Sequence, residues 1–390
     1  DIGNLNHEDL YFVDRMILNY ERNGINLDDN RKELLLKIRH EISKLENGII
    51  NSIHKIENEY IECNEENLKG IPKNILDKFE RNGNIYKIRT NKTNYNICMK
   101  YINDEKIREN IELYYSNMYY TILSYIAKVI VLRDKHAKIL SYNCHGDFKA
   151  FIQMTKNSMN IKNFMTELLN KLNYRYKREI DTVRKIGKNK MLYSQDIQYY
   201  VSKWKQEYGI NDNFLKEYFE FTNTIKEIFK IYEKLFNITF IKLNNSHLWS
   251  PDITVYGIID SNQKPIGHLY LDIYNRDLKY KQTRCFCLKQ STNDQLPAIV
   301  LVASLGEHTQ NPLLLQFQDV ISLFHEFAHV IHHTFGKSKY SIFSGLNVEV
   351  DFVEAPAQIL DLLCWEKNII KQLSHHYQTG ECLEDAIIKK

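Results

Sequence analysis

Proline and glycine are scarce, at 6 and 14 of 390 residues. A sandwich of many strands needs turn-formers every few residues, so their scarcity argues against that class and for long helices with short connections. A charge of one sign is also missing: 52 basic residues stand against 49 acidic ones, a net charge of +3. That near-balance gives no electrostatic reason to expect a nucleic-acid or acidic partner. No uninterrupted apolar run approaches the ~20 residues of a membrane span, so no membrane segment is expected. The seven cysteines are odd in number and irregularly spaced. This argues against a disulfide framework and for free thiols in a reducing, cytoplasmic compartment. Cys285-x-Cys287 is too closely set for a typical zinc or redox pair, and in the alternating stretch 283–288 both thiols fall on one strand face as packing groups. Asp1-Ile2-Gly3-Asn4 reads neither as a signal peptide nor as an initiation site, so a processed or excised piece of something longer is expected.

What is present is ample core-forming material. Hydrophobic side chains make up 43% of the chain, enough for one large or two closely joined domains. The stretches rich in Asn, Lys, Ile and Tyr carry too many aromatic residues to be disordered. Leu10, Val13, Ile17 and Tyr20 form one stripe at helical spacing; Leu34, Leu35, Ile38, Ile42 and Leu45 form another, with Asn23-Gly24 between them. Further helices are expected over 47–66, as a long pair over 105–142, and over 161–187 and 194–236. After residue 240 the period changes. The stretches 253–259 and 267–274 flank the turn Ser261-Asn262-Gln263-Lys264, a hairpin signal, and 283–289 and 298–305 read as two more strands. A last helical block runs from Leu314, broken by a loop at 336–347. The expected fold is mainly α with a small, mostly antiparallel β-sheet (α+β), in two regions: 1–240, helical, and 241–390, holding the sheet and the last helices.

The chemistry lies in that last block. Inside an apolar helical run, His325-Glu326-Phe327-Ala328-His329 sets two imidazoles four residues apart. One turn of 3.6 residues puts both on the same face, where they can bind one Zn²⁺ at ~2.0–2.1 Å. Glu326 emerges beside the first of them, within reach of a metal-bound water rather than of the metal. Such a site needs a third protein ligand and an open position for water. Glu349, Asp351 and Glu354 are the acidic candidates. A helix is expected to start near Asp351, and on it Glu354, Gln358 and Asp361 make a polar stripe that is costly unless it meets a metal, a histidine or water. Glu354 is preferred because Glu349 and Asp351 precede the rigid part of that helix. Asp361 and Asp351 are candidates to orient the histidines, and His332 is expected to be packed.

The stretch Phe324-His-Glu-Phe-Ala-His329, with Ser344-Gly345 and Asp351-Phe-Val-Glu-Ala-Pro356, resembles the thimet oligopeptidase family of zinc peptidases, which includes neurolysin, bacterial oligopeptidases and mitochondrial intermediate peptidase. Gly267-His-Leu-Tyr-Leu-Asp-Ile-Tyr274 with Arg276 and Lys279-Tyr280 is similar to the family's strand before the active site. Trp249 with Pro251-Asp252, Leu132-Arg133 with Ala137, and Arg22-Asn23-Gly24 extend the likeness over nearly the whole chain. The resemblance implies a helix-rich fold with one zinc ion on the floor of a deep channel, whose wall region 1–240 would form. His325, His329 and Glu354 would be its ligands and Glu326 the base that activates water. It further implies endopeptidase action on short peptides, held in extended form along an edge strand, for which 298–305 is the candidate. Some family members are organellar, mitochondrial or plastid, and a targeting segment would then precede residue 1. A monomer is expected.

Leu346 and Ala357 depart mildly from the pattern, which has Thr and Ser there. The family pattern also continues past residue 390 into a His- and Tyr-containing segment that closes the channel, and its N-terminal region is not matched. His375-His376-Tyr377 is not a counterpart of that segment. The chain therefore reads as truncated at both ends. A catalytically impaired zinc-holding or peptide-binding scaffold is the alternative.

Overall fold

The computed structural model describes residues 5–188, 191–209, 211–244, 248–309 and 311–389. Helices dominate, with one three-stranded and one five-stranded sheet, so the chain has the helix-rich α+β fold expected from its periodicity. It forms two compact units. One is Val13–Gly209; the other joins the segment up to Phe12 with the chain from Ile210 onward. The sequence reading puts a division at 240, but the helix Phe221–Phe236 buries Ile225, Ile228, Ile231 and Tyr232 in the same core as the larger sheet. No helix among the described residues is long and apolar enough to cross a membrane.

In the Val13–Gly209 unit the helices Asp29–Glu57 and Leu123–Ile139 pack together, the former starting at an Asp28 cap. The expected helix over 47–66 ends at Glu57. Strand β1 (Tyr60–Asn64) comes next and pairs with β3 (Ile85–Arg89), which also pairs with β2 (Glu80–Asn82), all antiparallel. Tyr86 and Ile88 alternate inward with Cys98, Met99, Ile102 and Ile111 to make this unit's core. Arg108 is buried there and donates to Asp196 at 2.6 Å and to the carbonyls of Ile102 and Asn103. Those bonds offset its desolvation.

In the other unit the sheet order is β4-β5-β6-β8-β7, from β4 (Ile238–Leu243), β5 (Thr254–Asp260), β6 (Pro265–Asp272), β7 (Arg284–Lys289) and β8 (Ala298–Val302). The predicted hairpin is present as β5 and β6; β4 was not anticipated. Only β6 and β8 run parallel. The strand near 298–305 is therefore interior, paired on both sides, and cannot offer an edge to a peptide. The edge strands are β4 and β7, and β7 is the one beside β8; no strand among the described residues pairs with its outer side. The loop leading into β7 is pinned by Asp272 at the end of β6, which accepts from Trp249 Nε1 at 3.0 Å, from Arg276 through two bonds of 2.6 Å, and from Lys279 at 2.8 Å. Burial alone would raise this carboxyl, but Arg276, Lys279 and Trp249 hold it at about 2.

A candidate metal centre

The helix Phe317–Phe335 opens with Asp319 accepting the Gln316 amide at 3.0 Å, half of a capping box. Val320, Leu323, Phe324, Phe327, Val330 and Ile331 are buried in the core, and the helix packs on β6, β8 and β7. Tyr232, fully buried, donates its hydroxyl to the Phe324 carbonyl at 2.7 Å. With that face fixed, His325 and His329 emerge on adjacent turns. Their rings are 4.8 Å apart and inclined at 82°.

The chain then folds back. The Gly345 amide donates to the Gly336 carbonyl at 2.7 Å, closing the loop between them. Gly345 has φ +60°, and a Cβ there would lie 2.3 Å from His333 Nδ1. The next helix is Ala355–Asp361, so it begins later than Asp351. Pro356 lies in its first turn, where a residue with no N–H and a fixed φ is well placed. Glu354 caps this helix rather than riding on it.

Three atoms converge. Glu354 Oε2 is 3.1 Å from His329 Nε2 and 3.2 Å from His325 Nε2, and the two nitrogens are 3.1 Å apart. Ligands arranged tetrahedrally about one ion at ~2.0–2.1 Å stand roughly 3.3 Å from each other, so the three residues could hold such an ion. His325 Nδ1 is 2.9 Å from Asp361 Oδ2. A carboxylate only accepts, so Nδ1 carries the hydrogen, and Nε2 is the nitrogen that would present a lone pair to a metal. His329 has no such support: its buried Nδ1 lacks a hydrogen-bond partner among the described residues.

Glu326 Oε2 accepts the Cys285 amide of β7 at 2.6 Å, so the carboxylate is anchored through this oxygen. Burial raises the Glu326 carboxyl, against the Cys285 amide and the His325 charge. Burial pulls His325 down, but Asp361, with Glu326 and Glu354, carries it above the ordinary imidazole value. At His329 burial prevails over Glu354, and the net direction is downward.

The structure therefore brings His325, His329, Glu354 and Glu326 together, with Asp361 behind His325. Asp351 lies exposed on the turn before Glu354. His332 is packed, its Nδ1 buried and its ring edge-on to Phe352 at 6.4 Å. The segment at His375 lies against 217–219, where His375 and Tyr377 donate their amides to the Tyr218 and Glu217 carbonyls. Sequence reasoning missed the Cys285 contact, because nothing local links residues 41 positions apart.

Residues 98–390 match the profile of Peptidase family M3. The chain belongs to this family. It is 29% identical to saccharolysin of Saccharomyces cerevisiae over 98% of this chain and 58% of that protein. It is 29% identical to the thimet-like oligopeptidase of Dictyostelium discoideum over 96% and 60%, and 25% identical to oligopeptidase A of Escherichia coli over 97% and 60%. The chain thus spans less than two thirds of the length of these family members.

Proposed function

We propose that this chain is the core of a zinc-dependent endopeptidase that hydrolyses internal bonds of short peptides, with His325, His329 and Glu354 as the ligands of one zinc ion and Glu326 as general base. The observation that carries this reading is the gathering of the three ligand atoms within 4.8 Å of one another, beside a carboxylate anchored through one of its oxygens.

Zinc bound there would polarise the scissile carbonyl and lower the pKa of a water towards ~7. Glu326 takes a proton from the attacking water and delivers it to the leaving amine nitrogen. Asp361 keeps His325 in the tautomer that presents Nε2.

The peptide pairs in extended form with the outer side of β7, not with β8. Because the Cys285 amide turns to Glu326 rather than to β8, the antiparallel alternation leaves the Cys285 carbonyl and both Cys287 backbone groups facing outward. Pairing there brings the peptide beside Glu326. The oligopeptidase names of two relatives support short peptides as substrates, and the seven unpaired thiols support a cytoplasmic setting.

A second reading is a zinc-holding or peptide-binding scaffold, for which the same three ligand atoms would suffice without turnover. Zinc content and cleavage of a quenched fluorescent peptide of roughly ten residues, for the parent chain and Glu326→Gln, separate the two. Stoichiometric zinc in both with turnover only in the parent is expected. Zinc without turnover in either gives the scaffold reading, and no zinc after metal loading sinks both.

A further inference from the structure

The loop between the two metal-binding segments is gripped by the start of the helix His7–Arg22. Glu8 Oε1 accepts the Lys339 amide at 2.7 Å and the Ser338 hydroxyl at 2.5 Å. Asp9, only 8% exposed, accepts through Oδ1 the Tyr340 hydroxyl at 2.6 Å and Lys339 Nζ at 2.5 Å. One turn further on, Phe12 stacks on Tyr340 with ring centroids 4.2 Å apart, and Tyr11 leans on Phe343 at 5.0 Å.

The gripped segment is tied in turn to residues 344–347. The Ser341 carbonyl accepts the Ser344 amide at 3.2 Å and Asn347 Nδ2 at 3.1 Å. Ser344 is fully buried and bonds Gln290 at 3.0 Å, and Gly345 closes back on Gly336. These bonds join 338–343 to Gly345 and Asn347, from which the chain runs on to the turn that carries Glu354. The Glu354 side chain is half exposed, and among the described residues its polar contacts are with the two imidazoles alone. Its position therefore depends on the backbone that delivers it.

We infer that Glu8 and Asp9 are positioning residues for the third metal ligand: by holding 338–343 they keep 345–354 in the geometry that places Glu354 against His325 and His329. This rests on the zinc reading above. Without the grip, the loop would have to be ordered at the expense of metal binding, and affinity would fall.

The test uses the full chain and zinc itself, with affinity read by competition against a chromophoric chelator. Glu8→Ala with Asp9→Ala is expected to weaken zinc at least ~10-fold, and Glu8→Gln with Asp9→Asn to recover part of it. In a Glu354→Ala background the alanine pair should have no further effect, because a residue acting through Glu354 has nothing left to act on. Tyr340→Phe, which removes one bond from Asp9, serves if the alanine pair does not fold, and a several-fold loss is expected. An unchanged affinity in the variants with only a lower melting temperature would overturn the inference and leave the zinc reading standing. Equal losses with and without Glu354 would also overturn it, and a parent chain that binds no zinc ends both.

Discussion

His325 and His329 share one helix face, yet what stands behind each differs. Asp361 fixes the tautomer of His325, whereas His329 Nδ1 is buried without a partner among the described residues. Asp361→Asn keeps the shape but removes the charge and leaves the amide able to present either end. Zinc affinity is expected to drop roughly 10- to 100-fold with little change in the metal-free melting temperature, by chelator competition and calorimetry. A second effect concerns pH. Burial first, then Arg39, His145, Lys149 and Arg22, holds His136 at about 4, below the ordinary 6.5. A histidine depressed in this way is protonated first in the unfolded chain, so its contribution to stability is complete above pH 6.5 and is lost between 6.5 and about 4. His333, pushed by burial to about 4, adds in the same direction. Urea midpoints should therefore fall as pH drops through that window. His136→Gln, whose amide oxygen can still accept from Arg39 Nε (3.2 Å from His136 Nε2), should flatten the fall. A parent chain with constant midpoints from pH 6.5 to 4.5 would contradict this.

At the scale of elements, the loop 336–347 decides whether two distant segments meet. Gly345 combines φ +60° with a Cβ direction aimed at buried His333. Gly345→Ala must both adopt a left-handed conformation and displace a ring, at a cost of at least ~2 kcal/mol. Urea unfolding of the metal-free chain checks this, and a loss below ~0.5 kcal/mol would contradict it. Elements with a long, clean period were legible in the sequence: the stripes before residue 46, the β5–β6 hairpin and the motif helix. The short ones were not. The apolar positions Ile50, Ile53 and Ile56 run on towards Ile61 with no breaker between, so β1 read as more helix. Over a few residues the two periods cannot be told apart. In β3, the inward alternation of Tyr86 and Ile88 was a signal that could have been used. The start of the helix that follows the candidate ligand Glu354 coincides with Pro356 in its first turn, a cue present in the sequence but outweighed by the apolar residues Phe352 and Val353.

On the scale of the whole molecule, each compact unit has its own hydrophobic core, one around Tyr86 and Met99 and the other around Leu269 and Phe327. Only the second carries the candidate ligands. Zinc at ~100 times its Kd should stabilise that unit by ~2.7 kcal/mol through mass action. Hydrogen exchange should then slow at 317–361 and stay unchanged at 85–111. Equal slowing in both stretches would mean that the units unfold as one and would contradict this expectation.

The sequence by itself determined the candidate ligand set, the candidate base and the family. Those depend on residue types at fixed spacing, and a helix of 3.6 residues per turn converts spacing directly into geometry. It also determined most helices, because an apolar period of 3.6 residues marks a helix, even where the stripe of Leu10, Val13, Ile17 and Tyr20 stays exposed. Which strand lies at the edge, which carboxylate stands behind His325, what anchors Glu326 and what grips the loop before Glu354 were decided only by tertiary structure. Each of these joins residues far apart in the chain, and sheet order or loop docking depends on the relative stability of whole packings, which no local pattern records.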